Sequence, residues 1–382
     1  MPSTTAEAVI IGGGVMGCSI AWHLAAKGMT DVVLLERDVL GSGSTGRSTA
    51  TVDSHHSSET LVRMASHSLQ VFRSFKDAVG GECGFTETGH LVFAGIDDYA
   101  RTSATVALQR KAGVKARMIT RQEVANNFPG LHLDDCAAIS YEPAAGHADA
   151  SGTALSYATR ARRSGVKTLL RSPATGLEFA GGRVTAVVTE NGPISSGRVI
   201  VAAGPWCRGF LSPYGIDLPL TVTRHQVAAF RVPDTSPPIP AGAHDLINQI
   251  YLRPEGSGLV LAGDEGAEEF SELADPEMYA HRPTPGFIGS VWTRLARRIP
   301  EMAQAEYATG FAGLYTSTPD RLPIMGQVNG IDGLYVCGGF SGHGFKLAPA
   351  VGLVMAEMAI DGRASSFDVS PLSLSRFDYP KN

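Results

Sequence analysis

The chain is poor in the features that would place it outside the ordinary soluble globular proteins. Its five cysteines, Cys18, Cys83, Cys136, Cys207 and Cys337, are odd in number and scattered. They form no C-x-x-C pair, which speaks against both a disulfide framework and a zinc site. No block of Lys and Arg interrupts a net charge of −5, so neither nucleic acid nor an anionic membrane surface is an expected partner. No apolar run approaches the length of a membrane span. Met1–Glu7 lacks a cationic leader, and the first apolar run after it is only a strand long. Internal repeats and low-complexity tracts are missing as well. A cytoplasmic globular protein is the expectation. With 382 residues, 43% of them hydrophobic, it has two domains or one large interwoven body.

What is present begins at the N-terminus. Ala8–Ile11 is an apolar strand-like run, followed by Gly12, Gly14 and Gly17 at the spacing G-x-G-x-x-G. A helix carrying Ala21 and Leu24 on one face leads to a second strand through Val33 and Leu35, which ends at Glu36. This is the order of a dinucleotide-binding βαβ unit. Gly12 permits the tight turn, Gly14 lets a pyrophosphate approach the backbone, and Gly17 lets helix and strand pack closely. The unpaired N–H groups of the helix start, at Val15 and Met16, face the phosphates. A Glu36 carboxylate accepts from ribose hydroxyls and repels a 2′-phosphate, disfavouring NADP. On this unit alone, an NAD-dependent dehydrogenase remains an alternative.

Further along, Gly41–Ser48 is a small-residue loop with one cation, Arg47. Residues 58–79 are expected to be helical, with Leu61, Met64, Leu69, Phe72 and Phe75 inward. Residues 85–95 alternate like a strand, and a helix near 100–112 ends at Gly113. A helix starts at Asp149 and runs to Gly165, and a third strand follows at 166–170. Residues 183–190 form a strand, Asn191-Gly192 a hairpin turn, and 198–203 another strand ending in Ala203-Gly204-Pro205-Trp206. Strands of an antiparallel sheet are expected at 222–232 and 258–263. Pro233, Pro237, Pro238 and Pro240 mark a surface loop, and a short helix at 290–298 is expected to expose its arginines. Residues 334–337 form a strand leading into Gly339-Phe340-Ser341-Gly342-His343-Gly344-Phe345-Lys346, and a helix follows over 348–360.

Four motifs in this order resemble the flavin-dependent amine and amino-acid oxidoreductases of the D-amino-acid oxidase, glycine oxidase and sarcosine oxidase group, across nearly the whole chain. They are the unit ending at Glu36, the loop Gly43–Ser48, the strand Val199–Trp206, and the pair Gly313–Asp320 with Gly339–Lys346. The resemblance implies an α/β fold, with a Rossmann-like FAD-binding domain (residues 1–84, 142–216 and 311–382) and an inserted antiparallel-sheet substrate domain (85–141 and 217–310). It implies FAD held by Gly12, Gly14, Val15, Met16, Gly17, Glu36, Arg37, Ser44, Thr45, Gly46, Arg47, Ser48, Ala174, Ala203, Gly204, Trp206, Gly339, Gly342, His343, Gly344, Phe345 and Lys346. Some relatives tether the flavin through a cysteine or a histidine. Gly313 and Arg47 stand at those places, so non-covalent FAD is expected.

The implied activity is oxidation of the C–N bond of a small secondary, N-alkyl, imino or D-amino acid, by hydride transfer to flavin N5, to an imine that hydrolyses. Arg63 matches the arginine that clamps the substrate carboxylate in monomeric sarcosine oxidases, with Lys346 assisting. His343, His56 and Tyr251 are further candidates, while Arg253 and His55 are left without a role. Val260 stands where those oxidases carry an oxygen-activating lysine, so the electron acceptor is oxygen or another species. The run Tyr315–Asp320 also resembles subunits of heteromeric sarcosine and proline dehydrogenases, which leaves a partner subunit or an oligomer open.

Overall fold

A computed structural model describes residues 4–377 except 235, 238, 240, 257 and 267–270. Met1–Ser3, Pro238 and Pro240 therefore lie outside the described residues. The first layer is a six-stranded sheet in the order Lys167–Leu169, Val32–Leu35, Ala8–Ile11, Val199–Val201, Leu334–Gly338, Ile324–Gln327. All its pairs are parallel except the last. Side chains alternate across a strand, and here the two sets enter two different cores. Ala8, Ile10, Val32 and Leu34 pack with the helices Val15–Ala26, Ala150–Arg163 and Gly344–Asp361. Val9, Ile11, Val33 and Leu35 pack against Leu177, Val184, Val187 and Ile194. Those four belong to a small sheet in the order Thr4–Thr5, Gly192–Ser195, Arg183–Thr189, Ala174–Ala180. Burial on both faces explains the unbroken apolar runs of the central strands.

The second layer is an eight-stranded sheet in the order Glu306–Ser317, Thr221–Arg231, Leu259–Asp264, Ile250–Glu255, Gly242–Asp245, His90–Ala94, Ala138–Glu142, Arg117–Met118. It is antiparallel except where Gly242–Asp245 runs parallel to His90–Ala94. One face buries Leu91, Phe93, Ile139, Phe230, Ile250, Leu252 and Val260 against Val291 and Leu295 of the helix Pro285–Arg298. The other face therefore presents His90 opposite Glu142, and two positions along, His244 opposite Tyr251, which is opposite Gly263. This polar face is what positions the site. The expected division of the chain at 310/311 falls inside the strand Glu306–Ser317, all of which pairs with Thr221–Arg231 or lies in its register.

Several local expectations change: the helix over 58–79 is split at Ser74 into Glu59–Arg73 and Phe75–Ala78, and the helix over 348–360 begins at Gly344. Residues 85–95 form two strands, Thr86–Glu87 and His90–Ala94, and the second is buried on both faces rather than alternating. The helix over 290–298 begins at Pro285, and Arg298 is not exposed. Its guanidinium is 0% exposed, donates to Asp245 (2.7 Å) and Asp135 (2.9 Å), and lies over the Phe93 ring at 4.6 Å. Arg294 likewise forks onto Asp264 at 2.9 and 2.8 Å. Both arginines tie the helix to the sheet, because a buried guanidinium needs carboxylate partners.

Candidate active site

A cavity of about 1730 Å³ runs between the two layers, from Glu36 to the polar face of the large sheet. It exceeds the roughly 300–1,000 Å³ of an ordinary small-molecule site and suits an elongated ligand together with a substrate.

At one end, glycines bring backbone where no side chain would fit. A Cβ on Gly12, whose φ is +114°, would lie 2.5 Å from the Ala202 carbonyl oxygen, and one on Gly17 would lie 1.9 Å from the Gly12 oxygen. The helix Val15–Ala26 starts at Gly14 without a side-chain cap, leaving its first turn toward the cavity; the Val15 amide is held by Thr45 Oγ1 at 3.0 Å. Glu36 is 6% exposed. Its carboxylate accepts from the Gly13 and Asp38 amides, each at 2.7 Å, which fixes it at the cavity edge with lone pairs to spare for a ribose. Arg47 donates to the carbonyls of Ser42 and Gly43 and so shapes the small-residue loop. Ser44 Oγ fixes that loop to Leu314 O at 2.8 Å. Opposite, Arg37 lies 4.7 Å over the Trp206 ring. Arg37 and the Trp206 indole both donate to Glu277, at 2.6 Å each. These features fit a dinucleotide. Val15, Met16, Ser48, Ala174, Ala203, Gly204, Gly339, Gly342, His343, Gly344, Phe345 and Lys346 also line the cavity. Gly17 and Gly46 sit behind it as packing positions, Gly46 donating to the Gly41 carbonyl at 2.8 Å.

At the other end lies a buried polar cluster. Lys346, in the first turn of the helix Gly344–Asp361, is ion-paired with Asp53, their side chains being 7% and 1% exposed. Burial opposes ionisation of Asp53, but the Lys346 ammonium and the imidazoles around it prevail and hold its carboxyl well below the usual value. Burial pushes His343 down to about 4, and Lys346 adds to the effect. It also pushes His55 to about 4 and His90 well below the ordinary imidazole value. His244 Nδ1 bonds Glu265 Oε1; although burial opposes the charged ring, the Glu265 carboxylate raises the His244 pKa overall. Behind Asp53, burial and then the Asp53 charge raise Glu142 to about 7. Its oxygens accept from the Ser54 amide (3.0 Å), Ser54 Oγ (2.9 Å) and Gln109 (3.0 Å). Asp53, His90 and His244 bring ligand-type atoms within 4.8 Å of one another. The Lys346 ammonium already occupies Asp53 and repels a second cation, so no metal is assigned there.

The structure brings Tyr251, His343 and Lys346 to one cavity. Tyr251 lies flat on Gly263, where a Cβ would approach its ring to 2.2 Å. His56 sits one layer back, its ring 5.1 Å from that of His343. Arg63 is corrected: it is exposed, forks onto Glu59 at 3.1 and 2.8 Å, and does not line the cavity. The inward residues Leu61, Met64, Ala65, Ser68, Leu69 and Phe72 define the face of its helix, and Arg63 points the other way. Arg253 is also off the cavity. It donates to the Thr49 and Pro254 carbonyls and pairs with Glu255 at 2.6 Å, which is a structural staple. The sequence reading missed Asp53, His90, Glu142, His244 and Glu265. It also missed His225, Tyr315 and Arg321 on the cavity wall. His90 and His244 share a face only through the register of strands 90–94 and 242–245, where Gly242 pairs with His90 and His244 with Val92.

A glycine-lined helix start and Glu36, joined by one cavity to a polar sheet face, form an arrangement that suits a flavin-type oxidoreductase. The chain belongs to the FAD dependent oxidoreductase family, whose model matches residues 7–358. FAD, rather than NAD, is the cofactor of that family. Among similar proteins are mitochondrial dimethylglycine dehydrogenase of Rattus norvegicus (29% identical, covering 97% of this chain and 45% of that protein) and mitochondrial sarcosine dehydrogenase of Homo sapiens (28%, covering 100% and 43%). A formaldehyde-forming 4-methylaminobutanoate oxidase of Paenarthrobacter nicotinovorans is 28% identical, covering 99% and 46%. The chain thus spans less than half the length of these relatives. The structure resembles L-proline dehydrogenase from P. horikoshii with a TM-score of 0.89, 28% identity and 98% of each chain covered. Among the described residues, no helix is long and apolar enough to cross a membrane.

Proposed function

We propose that the chain binds FAD non-covalently and oxidises the C–N bond of a small secondary or N-methyl amino acid to an imine that hydrolyses. The observation that carries this reading is the single cavity linking Glu36 and the glycine cradle to Tyr251, His343 and Lys346. The relatives support the substrate class, since their names specify dimethylglycine, sarcosine, 4-methylaminobutanoate and L-proline. Bound there, FAD supplies the hydride acceptor. The residues of the chain position the amino acid, keep water out and manage its proton. Non-covalent attachment rests on Gly313 and Arg47, which stand where some relatives carry a tethering cysteine or histidine.

With Arg63 outside, Arg321 and Tyr251 are among the cavity-wall groups with the chemistry to hold a carboxylate. Arg321 is close enough to His225 to add to the effect of burial, which brings that imidazole down to about 3. The test is turnover of sarcosine, dimethylglycine, 4-methylaminobutanoate and L-proline by the FAD-loaded protein, in air and with an artificial electron acceptor. Turnover of at least one supports the reading, and the condition required identifies oxygen or another acceptor. Failure with the whole panel while FAD is bound refutes the substrate class.

A further inference from the structure

The cavity wall carries a carboxylate oxygen that the protein itself leaves unmatched. Glu265 follows the strand Leu259–Asp264, and its amide continues the ladder to Gln249 O at 2.9 Å. Alternation from Gly263 turns Glu265 to the same side as Tyr251, while Asp264 turns away to Arg294. Glu265 Oε1 holds His244 Nδ1, and Glu265 Oε2 is buried with no hydrogen-bond partner among the described residues. Both residues line the cavity. A buried carboxylate oxygen without a donor costs free energy unless a ligand supplies one. The neighbouring charges do not fill that role. Lys346 is engaged by Asp53, and the burial-lowered imidazoles of His55, His90 and His343 are neutral near pH 7.

We propose that Glu265 Oε2 receives the substrate's ammonium group and that the Glu265–His244 pair takes up its proton. This rests on the amino-acid oxidation proposed above and assigns the amine end of that site. The balance is simple. Above the raised pKa of His244 its ring is neutral, and the pair carries one negative charge and one vacant proton position. A secondary ammonium gives up one proton, the pair becomes carboxylate and imidazolium, and the substrate nitrogen becomes a neutral amine with a lone pair. Only that form can yield a hydride equivalent from its neighbouring carbon, because the lone pair stabilises the iminium that results. The groups facing the pair are Asp53, His55, His90, Tyr251, His343 and Lys346. None of them provides a second unpaired carboxylate.

The experiment uses FAD-loaded wild type, Glu265→Gln, Glu265→Asp and His244→Gln. Ligand binding is read from perturbation of the flavin absorbance, and flavin reduction is followed anaerobically across pH. Two ligands are compared: the secondary amino acid that reduces wild type best, and its ether isostere with oxygen in place of nitrogen. Where no amino acid reduces wild type, sarcosine and methoxyacetate serve. Glu265→Gln should bind the amine on the order of 10- to 100-fold more weakly and the ether unchanged, with the acid limb of reduction moved to lower pH as His244 loses its carboxylate partner. Glu265→Asp should recover part of the amine affinity. Equal weakening of both ligands, or unchanged amine binding and pH limb, overturns the proposal. Should Glu265→Gln lose FAD, His244→Gln decides: amine binding kept with slower reduction and no acid limb supports it, and an unchanged limb overturns it. A wild type that binds amine over ether but is never reduced refutes the oxidation reading while leaving the ammonium site standing.

Discussion

Asp53→Asn is the most informative single perturbation of the buried cluster. In the native protein the Asp53 carboxylate and the Lys346 ammonium face each other at 1% and 7% side-chain exposure. Removing one charge leaves the other buried and uncompensated, at a cost of about 3–5 kcal/mol. For a chain longer than 250 residues, a sensitivity near 2 °C per kcal/mol makes this a fall of roughly 6–10 °C in thermal midpoint. The sign with pH follows from the depressed Asp53 pKa: its stabilisation is present above the unfolded-state carboxylate pKa and disappears only as pH falls through the lower folded value. The loss in the variant should therefore persist across neutral pH. The assay is thermal unfolding of wild type, Asp53→Asn, Lys346→Met and the double variant Asp53→Asn/Lys346→Met, with FAD present throughout. Because two apolar or neutral partners leave no orphaned charge, the double variant should be more stable than either single one. A single variant within about 1 °C of wild type, or a double variant showing the summed loss of both, would refute the assignment of a coupled buried pair.

Other consequences are equally concrete. Gly263→Ala should push the Tyr251 ring aside, since the new Cβ would meet it at 2.2 Å; the expected result is a raised KM with FAD retained, and unchanged kinetics would count against Tyr251 as a substrate contact. Arg63→Ala should leave KM unaltered and cost no more than about 0.5 kcal/mol in unfolding experiments, the value of an exposed i,i+4 pair. Glu142 titrates near 7 in the folded protein, above its ordinary value, so its contribution to stability is complete at low pH and lost as pH rises from the unfolded pKa through about 7. Glu142→Gln should accordingly flatten the fall in thermal midpoint over that window, and an identical profile in both proteins would contradict the shift.

Local chemistry made the nucleotide end legible. Gly12, Gly14, Gly17 and Glu36 sit within one βαβ unit, and their spacing alone encodes their geometry. The substrate end is different in kind. Asp53 lies in a loop, His90 and His244 on parallel neighbouring strands, Glu265 past a third strand and Lys346 on the C-terminal helix, so only tertiary pairing brings them together. The strand Glu306–Ser317 escaped notice because its first four residues are exposed and show no alternation. Arg298 and Arg63 illustrate one lesson from opposite sides. Arg298 at a helix end was expected in solvent and is buried by Asp135 and Asp245. Arg63 was expected at the substrate because of a resemblance, although its own helix already turned Leu61, Met64 and Leu69 inward and Arg63 out. Helical phase was the stronger signal.

In the proposed reaction a small secondary or N-methyl amino acid gives a hydride equivalent to FAD inside the cavity between the two sheets. Anaerobic titration of the FAD-loaded protein with sarcosine, dimethylglycine or L-proline, following the visible flavin band, tests it most directly. At least one of them should bleach the flavin completely, at about one equivalent of amino acid oxidised per flavin. A flavin that stays oxidised with all of them, in a protein that is folded and saturated with FAD, would contradict it.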